Sequence, residues 1–68
     1  MPSNQRDQIK QALNTLHNAY ERALGNIAMV GQMYIDGGHP EIGDQYKTLF
    51  ELTRECQELA DQFLTFMP

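Results

Sequence analysis

Apolar residues recur at Ile9, Leu13, Leu16, Tyr20, Ala23, Ile27, Val30 and Tyr34, in alternating steps of four and three. That is the period of a helix with one apolar seam. A second run repeats the rhythm at Ile42, Tyr46, Leu49, Leu52, Cys56, Leu59, Phe63 and Phe66. Taken in reverse, the second run pairs with the first: Ile9 with Phe66, Leu13 with Phe63, Leu16 with Leu59, Tyr20 with Cys56. Ala23 then meets Leu52, Ile27 meets Leu49, Val30 meets Tyr46, and Tyr34 meets Ile42. Partner numbers add to 75 or 76, and antiparallel helices of equal rise require such a constant total. The pattern predicts an all-α fold, an antiparallel two-helix hairpin forming a single domain over residues 1–68. Helix 1 is expected over about 4–36, the turn over 36–40 and helix 2 over about 40–66.

Local signals agree with those bounds. Ser3 and Asn4 are both suitable N-caps, and Asp7 falls in the first turn, where the macrodipole favours a carboxylate. The stretch "IDGGHPEIGD", residues 35–44, interrupts the apolar rhythm. Gly37 is expected to take the left-handed conformation that closes a helix, and Gly38 to give room for reversal. Pro40 suits the first turn of the next helix, His39 its N-cap, and Glu41 and Asp44 its positive end. Gly25 and Gly31 lie inside helix 1, where each costs about 1 kcal/mol against alanine. Close backbone approach is the expected reason for keeping them.

Size changes the picture. Sixty-eight residues bury only roughly 60% of their unfolded surface, and at about 1.5 kcal/mol of lost freedom per residue folding barely breaks even. Cys56 is the single cysteine, so no disulfide can form within one chain. A lone thiol also suits a reducing compartment. Beyond the paired seam lie Leu24, Met29, Met33, Ile35, Phe50, Leu64 and Met67, an apolar surplus that one hairpin leaves wet. Contiguous surplus of this kind marks an association surface. Two hairpins are therefore expected to dimerise into a four-helix bundle by a two-fold axis. Its core would be Leu13, Leu16, Tyr20, Ile27, Leu49, Leu52, Cys56, Leu59 and Phe63.

Charge narrows the partners. The formal net charge is −4, which disfavours sequence-independent binding to nucleic acid and docking on anionic membranes. Helix 1 carries three acids and three bases. The whole excess belongs to helix 2, with Glu41, Asp44, Glu51, Glu55, Glu58 and Asp61 against Lys47 and Arg54. Asp44, Lys47, Glu51, Arg54 and Glu58 alternate in sign as a surface ladder. The longest apolar stretch, "IAMVGQMYI", is too short to cross a bilayer. No signal-peptide core is visible in "MPSNQRDQIK", so a soluble, cytoplasmic protein is expected.

Catalytic chemistry finds little footing. Asp36, His39, Glu41 and Asp44 could surround a metal, but they lack the alternating acidic spacing of a calcium loop and a second nearby histidine. His17 belongs opposite Glu58, far along the rod. Cys56 occupies a seam position opposite Tyr20 with no base beside it, which suits inert filler rather than a nucleophile. No phosphate loop or Ser-His-Asp order occurs, and no cofactor is implied. The expected function is that of a non-catalytic inhibitor or anti-activator that binds and blocks another protein. Its contact residues would be Met29, Met33, Tyr34, Tyr46 and Phe50 near the turn, with Glu51, Glu55 and Glu58 on the acidic face. A transcription regulator with a basic surface suits such a blocker, and in design the chain resembles the small helical inhibitors that phages and mobile elements make. The alternative rests on "GGHPEIGDQYKTL", residues 37–49. This stretch resembles the small two-helix co-chaperones of type III secretion needles, which carry a glycine-containing turn followed by Gln-Tyr and leucine, with a two-residue offset. That resemblance implies a heterodimer holding an aggregation-prone subunit.

Overall fold

The computed structural model describes residues 4–67. Two helices, α1 (Gln5–Asp36) and α2 (Gly43–Gln62), run antiparallel, with a 3-10 turn at Pro40–Ile42 before α2 and another at Phe63–Phe66 after it. No strand occurs among the described residues. The molecule is a rod 57 Å long, 19 Å wide and 8 Å deep. Its Cα radius of gyration is 16.3 Å, against about 11 Å for a compact chain of this length.

Asn4 caps α1. Its side-chain oxygen accepts the Asp7 backbone N–H at 2.9 Å, meeting one of the four donors that a helix start leaves unpaired. Ser3, the other candidate cap, lies outside the described residues. At the far end the left-handed residue is Gly38, at φ 94°, not Gly37, which sits at φ −81°. The reason is the hydrogen-bond pattern. His39 N–H donates to the Tyr34 carbonyl at 2.9 Å and Gly38 N–H to that of Ile35 at 3.2 Å. These are the two bonds of a Schellman closure with Gly38 just past the cap. The usual apolar contact of that motif is made by Tyr34 and His39, whose rings meet edge-on at 6.2 Å between centroids. Pro40 then opens the 3-10 turn at its first position.

The seam between the helices differs from the one the pattern predicts. His17 meets Asp61, Glu21 meets Gln57, and a Cβ placed on Gly31 would meet the Tyr46 ring. These partner numbers add to 77 or 78 rather than 75 or 76, about one residue further along each helix. One residue is 100° of rotation, so from Leu49 onward a different side of α2 is buried, while Ile42 and Tyr46 of the expected seam stay half-buried. Tyr46, Phe50, Thr53 and Ala60 are half-buried and Gln57 is buried. Leu24, expected among the wet surplus, is instead the most buried apolar side chain at 8% exposure.

Gly31 is the close approach. An added Cβ there would lie 2.5 Å from two carbons of the Tyr46 ring, whereas one at Gly25 meets nothing within 4 Å. No described side chain is buried below 2% exposure. The hairpin has a seam but hardly a core.

Candidate interaction surface

Much of the row expected to fill the hairpin interior forms its open face. Leu49 and Leu52 are each 54% exposed, Leu59 58% and Phe63 64%; Leu16 is exposed as well. Cys56 is exposed, not inert buried filler. With Gln45 these α2 residues follow steps of four and three, so they share one side of the helix. On α1 the row is Ala12, Leu16, Ala19, Ala23, Asn26 and Val30, with the same steps. Both rows belong to one face, because Asn26 and Val30 line a groove of about 380 Å³ together with Gln45 and Leu49. Ile27, Gly31, Ile42 and Tyr46 complete that groove. Neither row contains a charged residue.

Toward the turn the groove gives way to a second hollow of about 350 Å³, lined by Val30, Met33, Tyr34, Gly37 and His39. Met29, Met33 and Tyr34 are exposed, as the sequence suggested. Tyr46 and Phe50 are half-buried. Tyr46 covers Gly31, and Phe50 borders a notch with Leu24 and Ala28. Leu13, Tyr20 and Ile27 are half-buried at the edge of the seam.

The opposite face carries polar contacts that the apolar pattern passed over. Gln57 donates its side-chain N–H to a Glu21 carboxylate oxygen at 2.8 Å and to the His17 carbonyl at 3.3 Å. The His17 Nδ1 lies 3.0 Å from an Asp61 carboxylate oxygen, so its partner is Asp61 rather than Glu58. A sequence signal for this did exist. Tyr46, Phe50, Thr53, Gln57, Ala60 and Leu64 follow the same alternating steps, one residue out of phase with the greasier run.

Glu51, Glu55 and Glu58 are exposed. Of the expected charge ladder, the pair within 4 Å is Arg54–Glu58 at 3.9 Å, both side chains well solvated. At the turn, Asp36 accepts a hydrogen bond from Gln32 at 2.8 Å. His39 stands at the N-cap position of the Pro40–Ile42 turn, but its side chain makes no capping hydrogen bond; its Nδ1 lies 2.9 Å from Glu41. The Glu41 carboxyl is held below its ordinary value of 4.5, first by a backbone hydrogen bond at Glu41 and then by His39. No group of three or more His, Cys, Asp or Glu side chains gathers around a metal-sized space among the described residues. No helix there is long and apolar enough to cross a membrane.

The arrangement offers an uncharged apolar face, a hollow beside the turn and a solvated acidic side. No known protein family, curated protein or solved structure matches this chain.

Proposed function

We propose that the chain is a non-catalytic interaction module, a cytoplasmic hairpin that dimerises into a four-helix bundle and blocks the surface of another protein. The carrying observation is the exposed Leu49–Leu52–Leu59–Phe63 stripe. It lies on a helix whose acids, including Glu51, Glu55 and Glu58, give the chain its net charge of −4. Apolar area supplies association, and the acidic side selects a basic target by electrostatic steering. The kind of target that suits it best is a DNA-binding regulator, whose basic face it covers in place of DNA. Met29, Met33 and Tyr34 add an adaptable apolar contact beside the turn.

The test is a mobility-shift assay on a regulator recovered with the chain from its native host. The hairpin is expected to weaken operator binding, more strongly at low salt. Reversing Glu51, Glu55 and Glu58 to lysine is expected to abolish the effect. Inhibition indifferent to those reversals contradicts the acidic blocker.

A second reading is favoured by the lack of any fully buried side chain among the described residues. A hairpin this thinly cored suits a co-chaperone that folds against an aggregation-prone subunit. Stoichiometry separates the two readings: a stable homodimer favours the blocker, and a largely unfolded lone chain favours the heterodimer.

A further inference from the structure

Building on the self-association proposed above, we infer how the second copy sits. It covers the open face, with α1 of one protomer stacked on α2 of its partner and both turns at the same end of the bundle.

Area comes first. The chain exposes 5498 Å², whereas a compact monomer of its mass exposes about 4,400 Å². The surplus is about 1,100 Å² per chain, or roughly 2,200 Å² across a pair, within the range of homodimer interfaces. The face can also meet itself without burying a charge, because neither row carries one.

Two independent observations choose the orientation. A two-fold axis along the rod stacks α1 on the partner's α2, with both turns at one end. A two-fold axis across the rod stacks each helix on its own copy and sends the turns to opposite ends. The α2 row is a ridge of Leu49, Leu52, Leu59 and Phe63, while the α1 row is a trough dominated by Ala12, Ala19 and Ala23. Like on like sets ridge against ridge and holds the alanine rows apart. Crossed stacking sets each ridge into a trough, as close packing requires. Charge points the same way. Residues 40–66 hold the whole net charge and α1 is balanced, so crossed stacking avoids laying two acidic helices together. The resulting dimer presents both Met33–Tyr34–His39 hollows side by side at one end, a two-fold display for a two-fold target.

The experiment combines sedimentation of the wild-type chain and of the labelled variant with spin-label distances on Glu41→Cys in a Cys56→Ala background, which puts one label at the exposed turn and keeps the row apolar. A dimer is expected, with labels about 20–30 Å apart, two helix spacings of roughly 10 Å plus the linkers. A dimer whose labels stand apart by nearly the 57 Å rod length overturns the orientation and leaves dimerisation intact. A folded monomer overturns self-association itself, and an unfolded lone chain does so in favour of a different partner. Leu52→Glu is expected to dissociate the dimer by at least 100-fold, and Asn14→Glu, exposed on α1 and outside both rows, to leave it unchanged. The reverse result moves the interface to another face.

Discussion

The two sides of α2 make opposite use of one helical period. The side toward α1, with Tyr46, Phe50, Thr53, Gln57 and Ala60, is mixed in character and largely covered. The neighbouring side, with Leu49, Leu52, Cys56, Leu59 and Phe63, is wholly apolar or nearly so and exposed. A helix packed only for its own hairpin would reverse this assignment. Buried polar side chains contribute little net energy, but an unpaired one is costly, so they penalise wrong registers. Gln57, buried at 6% exposure, does this within the hairpin by reaching Glu21 and the His17 carbonyl. Burial energy is left on the other side for association.

The largest expected effect attacks the apolar side directly. The double variant Leu52→Glu, Leu59→Glu places two charges on a face proposed to be desolvated, and each lost leucine forfeits roughly 1.5–3 kcal/mol of burial. Dimer association should weaken by well over 100-fold in sedimentation equilibrium. Helicity measured with the dimer dissociated should match that of dissociated wild-type chain, because both leucines are already exposed in the hairpin.

On the covered side, the two glycines of α1 sharpen the contrast. Gly31→Ala drives a methyl into the Tyr46 ring, and overpacking of this kind costs roughly 1–3 kcal/mol, partly offset by better helix propensity. A lower Tm is expected. Gly25→Ala meets open space and should raise stability by about 1 kcal/mol. Equal effects at the two positions would contradict the register drawn through Gly31.

Gln57→Ala should cost about 1 kcal/mol in denaturant unfolding, the worth of its hydrogen bonds. The smallest effect belongs to Glu41 at the turn. Its carboxyl is depressed below 4.5, so its contribution is present above that value and lost as pH falls through the lower folded value. Glu41→Gln should flatten this acid-side loss in a pH series of thermal melts, with a slightly lower Tm at pH 7 and no difference from wild type once the carboxyl is protonated.

Much of the fold was legible because each signal is local. The capping oxygen of Asn4, the paired glycines, Pro40 and the two apolar runs fix a hairpin and its bend. The rotation of the helices was not legible in the same way. Periodicity finds the greasy side of a helix, but α2 offers two runs in the same rhythm, one residue apart. The greasier run, Leu49 to Phe63, outranks on apolarity the run that holds Gln57, so periodicity alone assigns it the interior. Gly31 held the deciding clue, since a buried glycine must face something large, and Tyr46 fills that place. Of the expected contact residues, Met29, Met33 and Tyr34 are exposed near the turn, whereas Tyr46 and Phe50 are half-buried. Leu24 was misplaced for the same reason as Cys56, by the 100° that one residue turns a helix.

Sedimentation equilibrium of the purified chain over a wide concentration range tests the central claim most directly. The expected result is a helical species of twice the 7.8 kDa chain mass, dissociating only on dilution. A well-folded species that stays at 7.8 kDa at every concentration would contradict it, because the exposed leucine and phenylalanine ridge would then have no second copy to cover it.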